Sequence, residues 1–180
     1  FVPEELKEAM FWKSVGKNVQ CQLCPHFCFL KPGGIGKCRV RQNKNGKLIS
    51  LVYNKPCSLA IDPIEKKPLY HFLPGEKALS IATAGCNLKC SFCQNWEISQ
   101  CGVDKVRSLE IKPKEVINEA RKNKTKIISY TYTEPTIFYE YMLDIAKLAK
   151  KARIKNITVT NGFINPEPLN ELCKFLDGSN

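Results

Sequence analysis

The chain has 180 residues, 43% hydrophobic and 25% charged, which suits one ordinary domain, or one domain plus a small appendage, and excludes wholesale disorder. It holds no apolar run of about 18 residues, and Glu4, Glu5, Lys7 and Glu8 interrupt its start, so neither a membrane span nor a secretory signal is expected and the protein reads as cytoplasmic. The net charge of +11 gathers at residues 121–126 and 147–155, where no interleaved aromatics form a stacking platform, so these runs read as solvated helix faces before they read as a nucleic-acid surface.

Residues 1–15 read as an amphipathic helix, with Pro3 in its first turn and Leu6, Met10 and Trp12 on one side. Residues 20–47 are rich in Cys, Gly and Pro and read as irregular turns with little core of their own. Extended pieces are expected at 48–53, at 59–61 and along Leu69-Tyr70-His71-Phe72, giving a small antiparallel lead-in that ends near Pro74-Gly75. From residue 78 the pattern changes. ALSIAT is a short apolar strand, a short helix lies near Trp96, and Pro113 opens a helix over 113–122. KIISYTY is β-branched and aromatic, hence a strand. A helix starting near Thr136 carries Phe138, Tyr141, Met142, Ile145 and Ala149 at helical spacing, followed by the strand NITVT and a helix over 166–175.

Strand and helix alternating three times imply parallel strands with right-handed crossovers, in an open α/β sheet or part of a (β/α) barrel. The expected division is a cysteine-rich segment at 1–77 and an α/β unit at 78–180. The chain opens on Phe1 and stops at FLDGSN, where a fourth strand is due. It is therefore expected to be the N-terminal part of a longer protein, with a natural frayed end as the alternative.

Ten cysteines suit either a disulfide framework or metal ligation. They are bunched, which favours metal, because one centre must be reached by several thiolates from a short loop. Cys86, Cys90 and Cys93 form CxxxCxxC just after the first parallel strand, at the edge where α/β folds place their active sites. Three thiolates can hold three irons of a cubane and leave the fourth open to a cofactor. A closed zinc site is the competitor, with Cys101 as its fourth ligand. Cys21, Cys24, Cys28 and Cys38 could saturate zinc or a second 4Fe-4S cluster; Cys57 could replace one of them, His26 could join, and disulfides remain the third alternative.

The Cys86–Cys90–Cys93 loop, with Phe92 before its last cysteine, resembles the signature of the radical S-adenosylmethionine (SAM) superfamily. Tyr132-Thr133-Glu134-Pro135 partly resembles that superfamily's Gly-Gly-Glu-Pro segment, with Tyr and Thr in place of the glycines, and Thr160-Asn161-Gly162 resembles a TNG motif of its activating enzymes. The stretch from CQLCPHFC through KPCSLAIDPIEKKPLYHFLPG to AGCNLKCSFCQNWEISQ is similar to the AmmeMemoRadiSam-system radical SAM enzymes, themselves similar to pyruvate formate-lyase activating enzyme. The resemblance implies the N-terminal part of a partial (β/α)6 TIM-like barrel. It implies a 4Fe-4S cluster on Cys86, Cys90 and Cys93, and SAM held with help from Glu134, Asn161, Phe92 and Gly85. It further implies reductive cleavage of SAM to a 5'-deoxyadenosyl radical that abstracts hydrogen from a substrate, driven by a reductant such as ferredoxin or flavodoxin. The substrate could be a glycine of a partner protein, a small molecule or, ranked lower, RNA. A metal-bearing electron-transfer or scaffold module is the reading from a different class.

Overall fold

The computed structural model describes residues 6–180, so residues 1–5 of the expected first helix lie outside it. The rest of that helix does not form. Phe11 takes a positive φ of 54°, which breaks helical geometry, and Gly16 at φ 63° turns the chain. The result is a hairpin of β1 (Trp12–Val15) and β2 (Asn18–Cys21), completed by β3 (Phe29–Leu30) into a three-stranded antiparallel sheet. Residues 20–47 are likewise more ordered than expected. β4 (Arg41–Lys44) and β5 (Lys47–Ser50) pair around Asn45-Gly46, both at positive φ, the turn that matches the natural strand twist.

The main sheet has five strands in the order β10-β9-β8-β7-β6. β7 (Lys77–Ala82), β8 (Ile127–Tyr130), β9 (Lys155–Thr158) and the short β10 (Gly178–Ser179) are mutually parallel. β10 begins where a fourth parallel strand was due. β6 (Ser58–Pro63) pairs antiparallel with β7 across its whole length, so the second extended piece of the expected lead-in, 59–61, is an edge of this sheet. Residues 69–72 form no strand; they follow a 3-10 turn at Ile64–Lys66 and continue as turns. No closed barrel forms among the described residues.

α1 (Trp96–Ser99) is one turn long, and α2 (Pro113–Lys122) starts on its proline as expected. Before α3 (Tyr139–Lys151) lies a 3-10 turn at Pro135–Phe138, whose first amide the Glu134 side chain caps; the α-helix therefore starts three residues later than Thr136. α4 (Pro166–Cys173) closes the α/β unit. Strand side chains alternate, so Leu79, Ile81, Ile128 and Tyr130 meet Val116, Met142 and Ile145 of α2 and α3 in the larger core. The opposite sheet face carries Ala78, Ile127 and Ile157 against Ile64.

The N-terminal sheets dock on the α/β unit through a buried ion pair. Arg41 of β4 donates from Nη2 to Glu140 Oε1 of α3 at 2.9 Å, and Met10 N donates to the same oxygen at 2.7 Å. Burial works against the guanidinium's charge, but Glu140, Cys21 and Cys38 outweigh it and raise the Arg41 pKa.

Candidate active site at the parallel-strand edge

β7 ends at Ala82, and residues 83–85 deliver the chain to Cys86. Gly85 has φ +92°, and a Cβ there would stand 2.4 Å from the Cys38 carbonyl and 2.7 Å from Val40 Cγ1. Its absent side chain is what lets the N-terminal segment approach the loop. Cys86 Sγ accepts from Leu88 N at 3.4 Å. Burial raises its pKa against the pull of that amide, and nearby Glu134 and Cys90 raise it further. Cys90 is exposed, and Cys93 Sγ lies 3.3 Å from Ser99 Oγ. Phe92 stands 85% exposed and Trp96 61% exposed.

Glu134 and Asn161 meet this loop. Glu134 Oε1 accepts from Thr136 N at 3.0 Å, Thr136 Oγ1 at 2.6 Å and Thr160 Oγ1 at 2.7 Å, while Oε2 accepts from Asn161 N at 2.8 Å. Asn161 Nδ2 donates to Asn87 Oδ1 at 3.0 Å, and Asn87 Nδ2 donates to Phe163 O at 2.9 Å. Asn95 Nδ2 donates to Tyr132 O at 2.9 Å, fixing the far end of the cysteine loop to the end of β8. Three motifs far apart in sequence are thus one hydrogen-bonded edge.

The other cysteine group stays apart from Cys86, Cys90 and Cys93. Cys21, Cys24, Cys28 and Cys38 line one cavity together with His26 and Arg41. Burial pushes the Cys38 thiol up to about 12 and also raises Cys21 and Cys24. All ten cysteines are unpaired. Cys57 does not line the cavity. Cys101 donates to the carbonyls of Glu97 at 3.1 Å and Ile98 at 3.3 Å, bonding within its own turn. Both His26 nitrogens are engaged, Nε2 with Asn87 O at 2.7 Å and Nδ1 with Lys37 Nζ at 3.3 Å. Among the described residues no three His, Cys, Asp or Glu side chains converge on a point suited to a single metal ion.

One polar cluster escaped the sequence reading. Asp62 on β6 accepts from Lys66 at 2.8 Å, Lys67 at 2.7 Å and Ser80 at 2.6 Å, and also from the Tyr132 hydroxyl. Burial would raise its pKa, but these hydrogen bonds prevail and hold the carboxyl well below its ordinary range. Burial likewise lowers the Lys67 pKa in spite of Asp62, so the benefit of the pair is felt mainly at the carboxylate. Nothing local in DPIEKKP shows that Lys67 is buried beside the sheet; the structure does. Of the remaining features, no helix among the described residues is long and apolar enough to cross a membrane.

Residues 80–177 match the radical SAM superfamily, and the chain belongs to it. That span starts inside β7 and takes in the cysteine loop, Glu134 and Asn161. Among similar proteins is an uncharacterised protein of Methanocaldococcus jannaschii, MJ0808, 46% identical over 168 residues, which covers 93% of this chain and 50% of that protein. A second uncharacterised protein of the same organism, MJ0674, is 29% identical over 141 residues, covering 75% of this chain and 35% of that protein. The chain spans half or less of the length of these curated relatives.

Proposed function

We propose that this chain carries the cluster-binding and SAM-binding part of a radical SAM enzyme. Superfamily membership supports SAM-radical chemistry in general terms. The observation that favours this edge as its seat is the direct bonding of Asn161 to both Asn87 and Glu134, which links the cysteine loop to the ends of β8 and β9. The donor set also fits: three soft thiols on one loop, with the Leu88 amide already donating to Cys86 Sγ. Cys86, Cys90 and Cys93 would hold a 4Fe-4S cluster. When bound, it supplies the electron for reductive cleavage of SAM to methionine and the 5'-deoxyadenosyl radical, which takes a hydrogen atom from substrate.

The chain's own residues bind and orient. Glu134 keeps one acceptor direction of Oε2 unused and offers negative charge for the SAM ammonium. Asn161 holds Asn87 and thereby the loop behind Cys86. Gly85 permits the close approach of Cys38 behind the loop, and exposed Phe92 offers an aromatic face toward the cofactor. We place the protein with the AmmeMemoRadiSam-system enzymes, similar to pyruvate formate-lyase activating enzyme. In this reading further parallel strands complete a partial (β/α)6 barrel, a ferredoxin or flavodoxin is the reductant, and a protein glycine is the first substrate class to test.

The test is anaerobic reconstitution of the whole protein with iron and sulfide, then dithionite and SAM, with 5'-deoxyadenosine followed by chromatography. Iron-loaded protein is expected to form it, and Cys90→Ala is expected not to. An iron-loaded whole protein that leaves SAM intact overturns the reading in favour of an electron-transfer or scaffold module.

A further inference from the structure

Cys21 ends β2, Cys24 and Cys28 lie in the loop before β3, and Cys38 precedes β4. Three separate pieces of chain thus bring four thiols to one cavity of about 20 Å³, room for a single water-sized sphere. The rest of its wall is mostly apolar, with Leu23, Leu30 and Ile137. Gly36 keeps one side clear: a Cβ there would stand 3.6 Å from Cys38 Sγ and 3.8 Å from Cys28 Sγ.

A second observation points to a missing ligand. Arg41 lines the same cavity and is 2% exposed. Its terminal nitrogens are used by Glu140 and Met10 O, but its Nε–H finds no acceptor. A buried, unpaired guanidinium N–H beside four thiols calls for an anionic sulfur acceptor.

We infer that Cys21, Cys24, Cys28 and Cys38 bind a second metal centre, closed by four thiolates, with the Arg41 Nε–H donating to one of its sulfurs. The ligand is a thiophilic metal that accepts four thiolates and leaves a negative charge for Arg41 to face: a zinc ion suits a cavity of this size, and a 4Fe-4S cluster is the larger alternative, which requires the cysteine walls to move apart. The centre sits directly behind the Cys86 loop. His26, within the same cysteine segment, contacts Asn87 O at 2.7 Å, and the Cys38 carbonyl fills the space beside Gly85. Asn165 donates to Gln22 O at 2.7 Å and to Leu23 O at 3.0 Å, tying the same segment to the start of α4. The metal would fasten the N-terminal segment as a fixed support for that loop.

The test uses the whole protein carrying Cys86→Ala, Cys90→Ala and Cys93→Ala, so its outcome does not depend on SAM chemistry. Zinc, iron and sulfide are counted after anaerobic purification and reconstitution, with electron paramagnetic resonance to detect a cluster. About one zinc, or about four irons with sulfide, per chain is expected. Adding Cys24→Ser and Cys28→Ser should lower that content by at least about tenfold. Negligible metal in the triple variant, or content unchanged by the two serines, overturns the inference. Should the serine variants fail to fold, alkylation of the folded triple variant decides. Cys21, Cys24, Cys28 and Cys38 should be protected until a strong chelator is added, and equal labelling before and after chelation overturns the proposal.

Discussion

Gly85→Ala tests whether the cysteine loop is shaped by the segment behind it. The new methyl would have to occupy a point 2.4 Å from the Cys38 carbonyl oxygen and 2.7 Å from Val40 Cγ1. The first neighbour is backbone and cannot rotate away; the second belongs to a fully buried valine. At φ +92° the alanine also carries backbone strain of about 1–3 kcal/mol. Overpacking against fixed atoms adds about 1–3 kcal/mol. The expected loss is therefore about 2–6 kcal/mol, measured as the shift of the urea midpoint at constant slope. Where the loop yields instead of the core, Cys86 moves with it, and iron loading at Cys86, Cys90 and Cys93 falls while folding is largely kept. A variant within about 0.5 kcal/mol of wild type that loads iron normally would refute the close approach of Cys38 and with it the supporting role of the N-terminal segment.

Asp62→Asn leaves Lys67 buried without its counter-charge and should cost about 3–5 kcal/mol by chemical denaturation. Because the folded Asp62 pKa is depressed, its contribution is complete above the unfolded value of about 4 and is lost as pH falls through the folded value. The stability gap between wild type and Asp62→Asn should therefore be constant near neutrality and narrow under acid; a gap that widens on acidification contradicts this account. Glu140→Gln removes the carboxylate facing Arg41 and should cost about 3–5 kcal/mol, and a loss below about 1 kcal/mol would show that the two sheets do not depend on this pair. Glu134→Gln can keep its oxygen toward Thr136 and Thr160, but its amide then faces the Asn161 N–H, donor against donor. We expect about 1–3 kcal/mol of destabilisation together with weaker SAM binding by calorimetry, and unchanged affinity would remove Glu134 from the cofactor site.

The α/β unit was legible because its signals are local. β-branched runs mark β8 and β9, Pro113 and Pro166 mark helix starts, and the alternation of elements dictates parallel pairing. The N-terminal part was misread where two periodicities compete. Leu6 and Met10 are spaced as on a helix, yet Phe11 adopts positive φ and the Gly16 turn pairs β1 with β2. The Asn45-Gly46 hairpin carried a usable signal, a two-residue turn between Arg41–Lys44 and Lys47–Ser50, obscured by polar residues on both strands. Membership of β6 in the main sheet is a register choice made with β7, with the turns around Pro68 between them, and nothing local to residues 58–63 announces it.

The candidate site divides the same way. Spacing shows that Cys86, Cys90 and Cys93 share a loop, and strand ends place Glu134 and Asn161 near it, but their mutual bonding is tertiary. Glu134 illustrates why two readings of one residue need not compete. It caps the 3-10 turn at Pro135–Phe138 through Oε1, which takes three donors, and reaches β9 through Oε2, which takes one. The crowded oxygen fixes the carboxylate in place, so the other oxygen presents its charge at a defined point without paying further side-chain entropy. A capping role thus supplies the rigidity that the proposed cation-binding role would require, from the same two strand ends.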